Sequence, residues 1–431
     1  MVIRLWTKKN KNMLTIYTPK ITNRILYTFD FIFCQYFGLD YNIETNIEKF
    51  KNQVKNEIIF CINYSNEKIS DVIISVPQEK LLLEENIQSQ KIFISKIGEM
   101  PVLFPSDGLQ QNFGFDIFSA VFYLISRYEE YLPHEQDKHG RYCSSNSILN
   151  NSVFNFKPII EIWLQHFQKN LLEKNKKLQI EKHQFTKIFT FDIDNAFQYK
   201  HRNWLKNPPN IFNQEVRNVL LNKKQDSYNT FDFIFQFCKK TEPKPYFFFL
   251  LNDSGKRNSI VNPDAISLYQ IIKKAEQFNI GIHFSYHFSE RTLKQEKEKL
   301  AKIVNNNIIY SRQHFLKINF PDYFRIVAEQ NIQIDFSLGY PDVSGCRAGT
   351  TLPFYFFDLI KNKKTSLLIQ PFVFMDATYQ YYQNKENIQQ KLENILKQIK
   401  GINGNFVGLF HNDLLQEELE YKEFMEFIRQ Y

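Results

Sequence analysis

The sequence lacks the cysteine patterns that stabilise small secreted domains or bind structural zinc. Its five cysteines are isolated and odd in number, and no Cys-x-x-Cys pair occurs. This spacing excludes a disulfide framework and a thiolate zinc site. Residues 1–20 contain no apolar core typical of a signal peptide, and no apolar run approaches the length needed to span a bilayer. We therefore expect a reduced, cytoplasmic protein without a transmembrane segment, with peripheral membrane contact left open.

The chain is also poor in glycine and has no continuous basic stripe. Glycine accounts for 13 of 431 residues whereas phenylalanine accounts for 43, a bias typical of an AT-rich genome rather than of a stacking surface. The net charge is +8, but lysines alternate with acids, as in LKQEKEKLAK, which is typical of solvated helix faces. We therefore expect no nucleic-acid partner, and the oligomeric state stays open.

The length of the chain predicts two domains, because 431 residues are too many to fold around one ordinary hydrophobic core. Residues 1–180 combine short apolar strands with helices predicted over 115–132 and 157–175, which indicates a smaller α+β module of unknown role. The charged stretch near 176–185 is the predicted boundary. Residues 185–431 form the second predicted domain.

Strand and helix patterns alternate from Lys187 onward. The strand candidates are 187–193, 245–251, 280–287, 307–313, 332–338, 367–374 and 405–411. Apolar strands that alternate with amphipathic helices predict a parallel sheet buried on both faces. About seven such units predict an α/β fold with a seven-stranded (β/α) barrel, closed or nearly closed, whose chemistry gathers at the carboxyl ends of the strands.

Ionisable side chains follow the ends of these strands. They are Asp192 and Asp194, His283 and His287, Arg312 and His314, Asp335, Arg347 and His411. Each alone has an ordinary explanation, such as a turn aspartate or a hydrogen-bonded core histidine. Together on one rim, one aspartate and two histidines would form an N/O ligand set for zinc or a similar ion, with a position open for water.

The order of these motifs resembles the NodB-homology polysaccharide deacetylases, carbohydrate esterase family four, over about residues 185–415. TFDIDNA resembles the first motif of that family, HFSYH the second and LFH the last. The resemblance implies a divalent metal ion, zinc first with cobalt or manganese as alternatives. It implies the following roles: Asp192 as catalytic base, Asp194, His283 and His287 as metal ligands, and His411 as general acid.

The sequence departs from the family pattern in the first motif. Ile193 separates the two acids, and Asn195-Ala196 replaces Gly-Pro. Such an Asp-x-Asp form occurs in members of the wider superfamily that act on non-sugar amides.

Two arginines are candidates for the arginine that the family pattern has at the site. Arg312 in SRQHF and Arg347 in CRAGT both suit the family pattern, so both stay candidates. Asp335 is the matching acid that would orient an arginine or adjust the acidity of His411.

The first half resembles an uncharacterised module that precedes deacetylase-like domains in some bacterial proteins. The resemblance is carried by FDIFSAVFYLISRYEEYLPHEQDKHGRY, at residues 115–142. Its SRYEEY segment could reach the barrel rim, but an exposed helix end is the expected structure.

The expected function is therefore metal-dependent removal of N-acetyl groups from an N-acetylated sugar in a glycan or glycan precursor. The partner would be a carbohydrate substrate. Two alternatives stay open: hydrolysis of a cyclic or linear non-sugar amide, and a non-catalytic glycan-binding or assembly protein on the same barrel.

Overall fold

The computed structural model describes residues 13–55, 60–70, 72, 74–106, 113–174, 176, 178–252, 257–383, 388–415 and 419–431. Within these ranges the strands form sheets of four, nine and two strands. The four-stranded sheet lies in the first half of the sequence and the nine-stranded sheet in the second. The predicted boundary near 176–185 falls between them.

The first half contains a small parallel sheet with helices packed on it. Its elements are β1 (Met13–Tyr17), α1 (Asn23–Phe29, continued by a π-helical turn over Asp30–Tyr36), β2 (Asp40–Glu44), α2 (Ile47–Lys55), β3 (Phe60–Tyr64), β4 (Ile74–Val76), β5 (Ile94–Ile97), β6 (Met100–Leu103), α3 (Ile117–Ile125) and α4 (Ile159–Lys174). The strand order is β2-β1-β3-β4, and β5 and β6 form a separate antiparallel pair.

Helix α3 is buried along its whole length. The Asp116 carboxylate caps its first turn by accepting a hydrogen bond from the Ser119 amide at 2.9 Å. On one side the ring of Phe118 packs against Tyr64 of β3, and on the other the ring of Phe122 packs against Phe357 of the second half. The helix is therefore apolar on all faces because it lies between the two halves.

The second half alternates strands and helices, as predicted. Its elements are β7 (Thr186–Ile193), α5 (Gln214–Leu220), α6 (Phe231–Cys238), β8 (Tyr246–Leu250), α7 (Ile266–Ala275), β9 (Asn279–Phe284), α8 (Glu290–Val304), β10 (Tyr310–Gln313), α9 (Asp322–Glu329), β11 (Ile334–Asp335), β12 (Phe354–Asp358), β13 (Lys363–Ile369), β14 (Phe374–Met375), α10 (Asp376–Tyr381), α11 (Ile388–Gly401), β15 (Asn405–His411) and α12 (Leu419–Gln430). The sheet order is β12-β13-β11-β10-β9-β8-β7-β15-β14, parallel except for the β12–β13 pair.

Strand β8 shows why these strands are apolar throughout. Tyr246 and Phe248 belong to an inner apolar cluster, whereas Phe247 and Phe249 belong to the outer core under the helices. Successive side chains on a strand point to opposite faces, so a sheet covered on both sides needs apolar residues at every position.

The large sheet is curled, and an irregular segment joins its ends. Strand β13 pairs with β11, and β14 pairs with β15, although residues 363–375 form one continuous stretch. Between them, the Phe372 amide donates to the Leu338 carbonyl at 3.0 Å and the Val373 amide donates to the Val407 carbonyl at 3.0 Å. Among the described residues no uninterrupted β-ladder closes the circle. Within the described part of the chain, the predicted barrel is therefore a curled sheet within a mixed α/β fold, without a closed β-ladder.

The SRYEEY segment is buried, which corrects the prediction of an exposed helix end. Helix α3 ends at Ile125, and Arg127 turns the chain with a left-handed φ of 52°. Glu130 then accepts hydrogen bonds from Arg127 at 2.8 Å and from Arg347 at 2.9 and 2.6 Å. Arg127 also donates to the backbone carbonyl of Arg347. This buried ion cluster joins the two halves.

We expect Glu130→Gln to destabilise the protein by about 3–5 kcal/mol, because it leaves two buried guanidinium groups without their shared counter-ion. The free energy of unfolding from chemical denaturation measures this effect. The matched control is Glu215→Gln, which removes an exposed partner of Lys224 at 2.6 Å and should change stability by less than about 0.5 kcal/mol. Equal effects of the two substitutions would contradict the structural role of the cluster.

Candidate active site

Asp192 and Asp194 lie at the carboxyl end of β7. Because side chains alternate along a strand, both carboxylates face the same side of the sheet. Asp192 is 2% exposed, and its Oδ1 accepts a hydrogen bond from Arg312 at 2.7 Å. Asp194 is partly exposed, at the point where the strand opens into the loop.

Two histidines approach Asp194 from neighbouring strands. The Nε2 of His283, on β9, lies 3.1 Å from Oδ1 of Asp194, and the Nε2 of His314, just after β10, lies 3.2 Å from Oδ2. Candidate ligand atoms of these three residues all lie within 4.8 Å of one another. One carboxylate and two imidazoles therefore converge on one point.

His287 lies outside this cluster, which corrects the ligand set implied by the resemblance. After β9 the chain turns, because the backbone and hydroxyl of Ser285 both bond to Glu296, at 3.0 and 2.6 Å. The side chain of His287 is exposed beyond this turn. His314 takes the third position instead. The sequence contained its signal, since His314 follows Arg312 by two residues and so belongs to the same face of the β10 region.

The donor set fits a divalent metal ion. The Nδ1 of His283 is 3.1 Å from the Arg312 carbonyl, so Nδ1 carries the proton and Nε2 is free to bind a metal. Oδ1 of Asp194 is buried and accepts no hydrogen bond, although the Nε2 of His283 lies 3.1 Å from it. Burial alone would raise the pKa of Asp194, but the imidazoles of His314 and His283 hold this pKa well below its usual value. An ionised carboxylate with an orphaned oxygen and two imidazole nitrogens match the ligands that zinc takes at catalytic sites.

Of the two candidate arginines, Arg312 lies at the site. It is fully buried, donates to Asp192 and to the Thr190 hydroxyl at 2.7 and 2.8 Å, and packs on the ring of Phe248. Arg347 lies in the ion cluster with Glu130 and is absent from the lining of the cleft that contains Asp192. Arg347 therefore forms a contact between the two halves and does not lie at the candidate active site, contrary to the prediction.

His411 lies on β15, in register with Asp192 of the adjacent strand β7, and is paired with an aspartate that sequence analysis missed. Its Nδ1 is 2.6 Å from Oδ1 of Asp376, and its backbone amide donates to Oδ2 at 2.7 Å. Burial lowers the pKa of His411, but the charge and hydrogen bond of Asp376 raise it to about 10. This shift favours the protonated form of His411 near neutral pH. Sequence analysis missed Asp376 although it follows the predicted strand 367–374 by two residues and so stands at a strand end.

Asp335 has a structural role, which corrects its expected pairing with an arginine or with His411. Its carboxylate accepts hydrogen bonds from the Ser311 hydroxyl at 2.7 Å, the Tyr323 hydroxyl at 2.8 Å and the Ser337 amide at 2.8 Å. These donors bind the carboxylate inside the wall of the sheet. Ile334 and Phe336 belong to the inner apolar cluster, so the side chain of Asp335 between them points to the outer face of the sheet, towards Tyr323 of α9.

All of these groups except His287, Asp335 and Arg347 open onto, or support, one cleft of about 630 Å³. The cleft is lined by Lys138, His139 and Arg141 of the first half, and by Asp192, Asp194, Arg257, His283, Gln313, His314, Phe315, Leu316, Pro341, Met375, Ala377, Tyr381, Tyr382, Leu409, His411, Asp413 and Leu414 of the second. Burial raises the pKa of Asp413 to about 6, although His411 opposes this shift. Sequence analysis identified neither Asp413 nor the residues from the first half.

Among the described residues, no helix combines the length and the apolar composition required to cross a bilayer.

Comparison with known proteins gives a family match for the first half alone. Residues 14–176 match the model of a family described as "Family of unknown function (DUF7033)". No curated protein matches the chain.

Several solved structures are similar to part of the chain. A protein from Mycobacterium smegmatis described as a polysaccharide deacetylase has 14% identity and a TM-score of 0.37, over 58% of this chain and 84% of that one. One from Pseudomonas aeruginosa PAO1, described in the same way, has 11% identity and a TM-score of 0.38, over 57% and 84%. Puue allantoinase has 11% identity and a TM-score of 0.37, over 56% and 83%. These values are too low to transfer the activity of any of these proteins to this chain.

We expect the purified protein to contain about one divalent ion per chain, and His314→Ala to lose it while His287→Ala keeps it. The reason is that His314 contacts Asp194 whereas His287 is exposed outside the cluster. Elemental analysis of protein prepared without chelator or His-tag measures the metal content. Loss of metal in His287→Ala with retention in His314→Ala would restore the ligand set implied by sequence.

We expect the stability that His411 contributes through Asp376 to depend on pH. The pKa of His411 is raised from 6.5 to about 10 in the folded protein, so this contribution is fully present below pH 6.5 and is lost as pH rises through about 10. The difference in free energy of unfolding between the wild type and His411→Gln, measured with chelator present, should decrease over this range. A difference that stays constant from pH 6 to pH 10 would contradict the raised pKa.

Proposed function

We propose that this protein is a metal-dependent hydrolase that removes the N-acetyl group from an N-acetylated sugar in a glycan or glycan precursor. One observation carries the proposal: a carboxylate–imidazole cluster suited to a metal and a protonated His411 line the same cleft. Amide hydrolysis needs both a nucleophilic water and an acid for the leaving amine. The cleft volume lies within the range of about 300–1,000 Å³ typical of small-molecule sites.

Asp194, His283 and His314 would hold the metal ion, with zinc as the first choice and cobalt or manganese as alternatives. When bound, the ion lowers the pKa of a water molecule and polarises the scissile carbonyl. The ionised Asp194 carboxylate supplies the negative charge of the ligand set. The hydrogen bond of His283 to the Arg312 carbonyl keeps its Nε2 aimed at the cluster.

Asp192 would act as the base. Its Oδ1 is held by Arg312, whereas its Oδ2 lies 3.7 Å from the Nε2 of His283 and so faces the space beside the metal ligands. Oδ2 would accept the proton of the attacking water. Arg312, itself fully buried, keeps the carboxylate oriented and stabilises its charge.

His411 would act as the acid. As the C–N bond of the amide breaks and a C–O bond forms, His411 would donate its proton to the leaving amine nitrogen, releasing acetate and a free amino group. Asp376 holds the imidazolium through Nδ1, which leaves Nε2 as the donating atom. The carboxylate neighbours on both sides favour the protonated form before each turnover.

The mouth of the cleft favours a carbohydrate over a compact amide. Tyr381 and Tyr382 line the cleft and are 67% and 43% exposed. Exposed aromatic side chains beside polar groups are typical of ligand-binding grooves, and their faces suit the apolar faces of sugar rings.

We expect acetate release from N-acetylated oligosaccharides to fall about 10²–10⁴-fold in Asp192→Asn, because the base is removed while the metal ligands stay. Enzymatic acetate detection with zinc- or cobalt-loaded protein measures the rate, and metal content is checked in parallel. The matched control is Asp264→Asn, an exposed aspartate paired with Lys299 at 2.7 Å, which should keep full activity.

The same assay separates the alternatives. Turnover of cyclic or linear amides, with none of N-acetylated sugars, would favour a non-sugar amidohydrolase. Oligosaccharide binding without turnover, unchanged in Asp192→Asn, would show a binding protein and overturn the proposed hydrolase.

A further inference from the structure

A loop from the first half of the chain forms one wall of the cleft. It spans residues 136–142 and is closed by an antiparallel bridge between Gln136 and Tyr142. The carboxylate of Asp137 accepts hydrogen bonds from the backbone amides of His139 and Arg141, at 2.8 and 3.0 Å. The loop is therefore ordered by its own hydrogen bonds.

Arg141 connects this loop to two segments of the second half. It is 3% exposed, and its Nε donates to Asp137 at 2.7 Å. Its Nη1 donates to the backbone carbonyl of Phe315 at 2.8 Å, and its Nη2 donates to the Tyr382 hydroxyl at 2.9 Å. The guanidinium therefore reaches the residue directly after the candidate metal ligand His314.

The backbone at this contact has an unfavourable conformation. Phe315 and Leu316 have φ values of 58° and 52°, in the left-handed region that non-glycine residues with large side chains rarely adopt. Such a conformation persists when surrounding contacts impose it. Arg141 supplies one such contact at the carbonyl of Phe315, and the ring of His139 supplies another, with ring centroids 5.2 Å apart.

The two candidate histidine ligands differ in how they are held. His283 is oriented by the hydrogen bond of its Nδ1 to the Arg312 carbonyl. The Nδ1 of His314 is buried and has no hydrogen-bond partner. The direction of the His314 ring therefore depends on the backbone that carries it, which is the strained turn that Arg141 contacts.

We propose that the first half of the chain completes the metal site, with Arg141 as the positioning residue that fixes His314 through the carbonyl of Phe315. This inference rests on the proposed metal-dependent function and assigns a role to the N-terminal module, whose role sequence analysis leaves unknown. Arg141 does not touch the metal or the reacting bond. It acts on the orientation of one ligand.

The test is a titration of the metal-free full-length protein with Co²⁺, followed by its visible absorption, which reports both affinity and ligand geometry. We expect Arg141→Ala to weaken Co²⁺ binding about 10–100-fold, the usual effect of losing a group that orients a ligand. Its absorption bands should shift because His314 is no longer held in one direction. Far-ultraviolet circular dichroism checks that each variant is folded.

The matched control is Arg325→Ala, which breaks an arginine–aspartate pair with Asp358 (2.8 Å) among residues that do not line the cleft. It should bind Co²⁺ like the wild type. If Arg141→Ala does not fold, Arg141→Lys gives the same test. It keeps a positive charge beside Asp137 but cannot bond to Phe315 and Tyr382 together, so it should also bind more weakly.

The outcomes separate the inference from the proposed function. Wild-type protein that binds no Co²⁺ overturns the metal-dependent function, and the inference with it. Wild-type binding with unchanged affinity and spectrum in the folded Arg141 variants overturns the inference alone. Equal weakening in Arg325→Ala would show a general loss of stability and would also overturn it.

Discussion

The buried pair between Asp192 and Arg312 is the interaction on which the site depends. Arg312 is fully buried against aromatic rings, where an unpaired charge would be very costly. Its bonds to Asp192 and to the Phe336 carbonyl therefore tie β7 and the β11 end to β10 across the inside of the curled sheet. Because these strands are fixed at their carboxyl ends, Asp194 and His314 come within 3.2 Å of each other.

Around this pair the cleft contains one group whose pKa is lowered, Asp194, and one whose pKa is raised, His411. On one side the imidazoles keep the pKa of Asp194 far below its usual value. On the other side Asp376 raises the pKa of His411 to about 10. Neighbouring groups whose environments move their pKa values apart are typical of sites that use a base and an acid in one reaction. The fold creates this contrast because the two groups stand on strands β7 and β15, which are adjacent in the sheet.

The two halves of the chain share buried polar contacts as well as apolar core. The cluster of Arg127, Glu130 and Arg347 fixes one side of the contact, and Arg141 fixes another beside the cleft. A single apolar cluster includes side chains from both halves, Trp163 and Phe357 among them. The boundary predicted from sequence thus divides two sheets, but the cleft receives residues from both sides of it.

The sequence by itself determined the alternation of strands and helices, the strand ends and the presence of Asp192, Asp194, His283 and His411 at them, since periodicity and strand length are local properties. Tertiary structure alone decided which groups meet. His314 replaces His287 because Ser285, in the turn after β9, is bonded to Glu296. Asp376 replaces Asp335 because the side chain of Asp335 points to the outer face of the sheet. The contribution of Arg141 was hidden for the same reason: a contact between residues 174 positions apart depends on packing of the two halves, which no local pattern records.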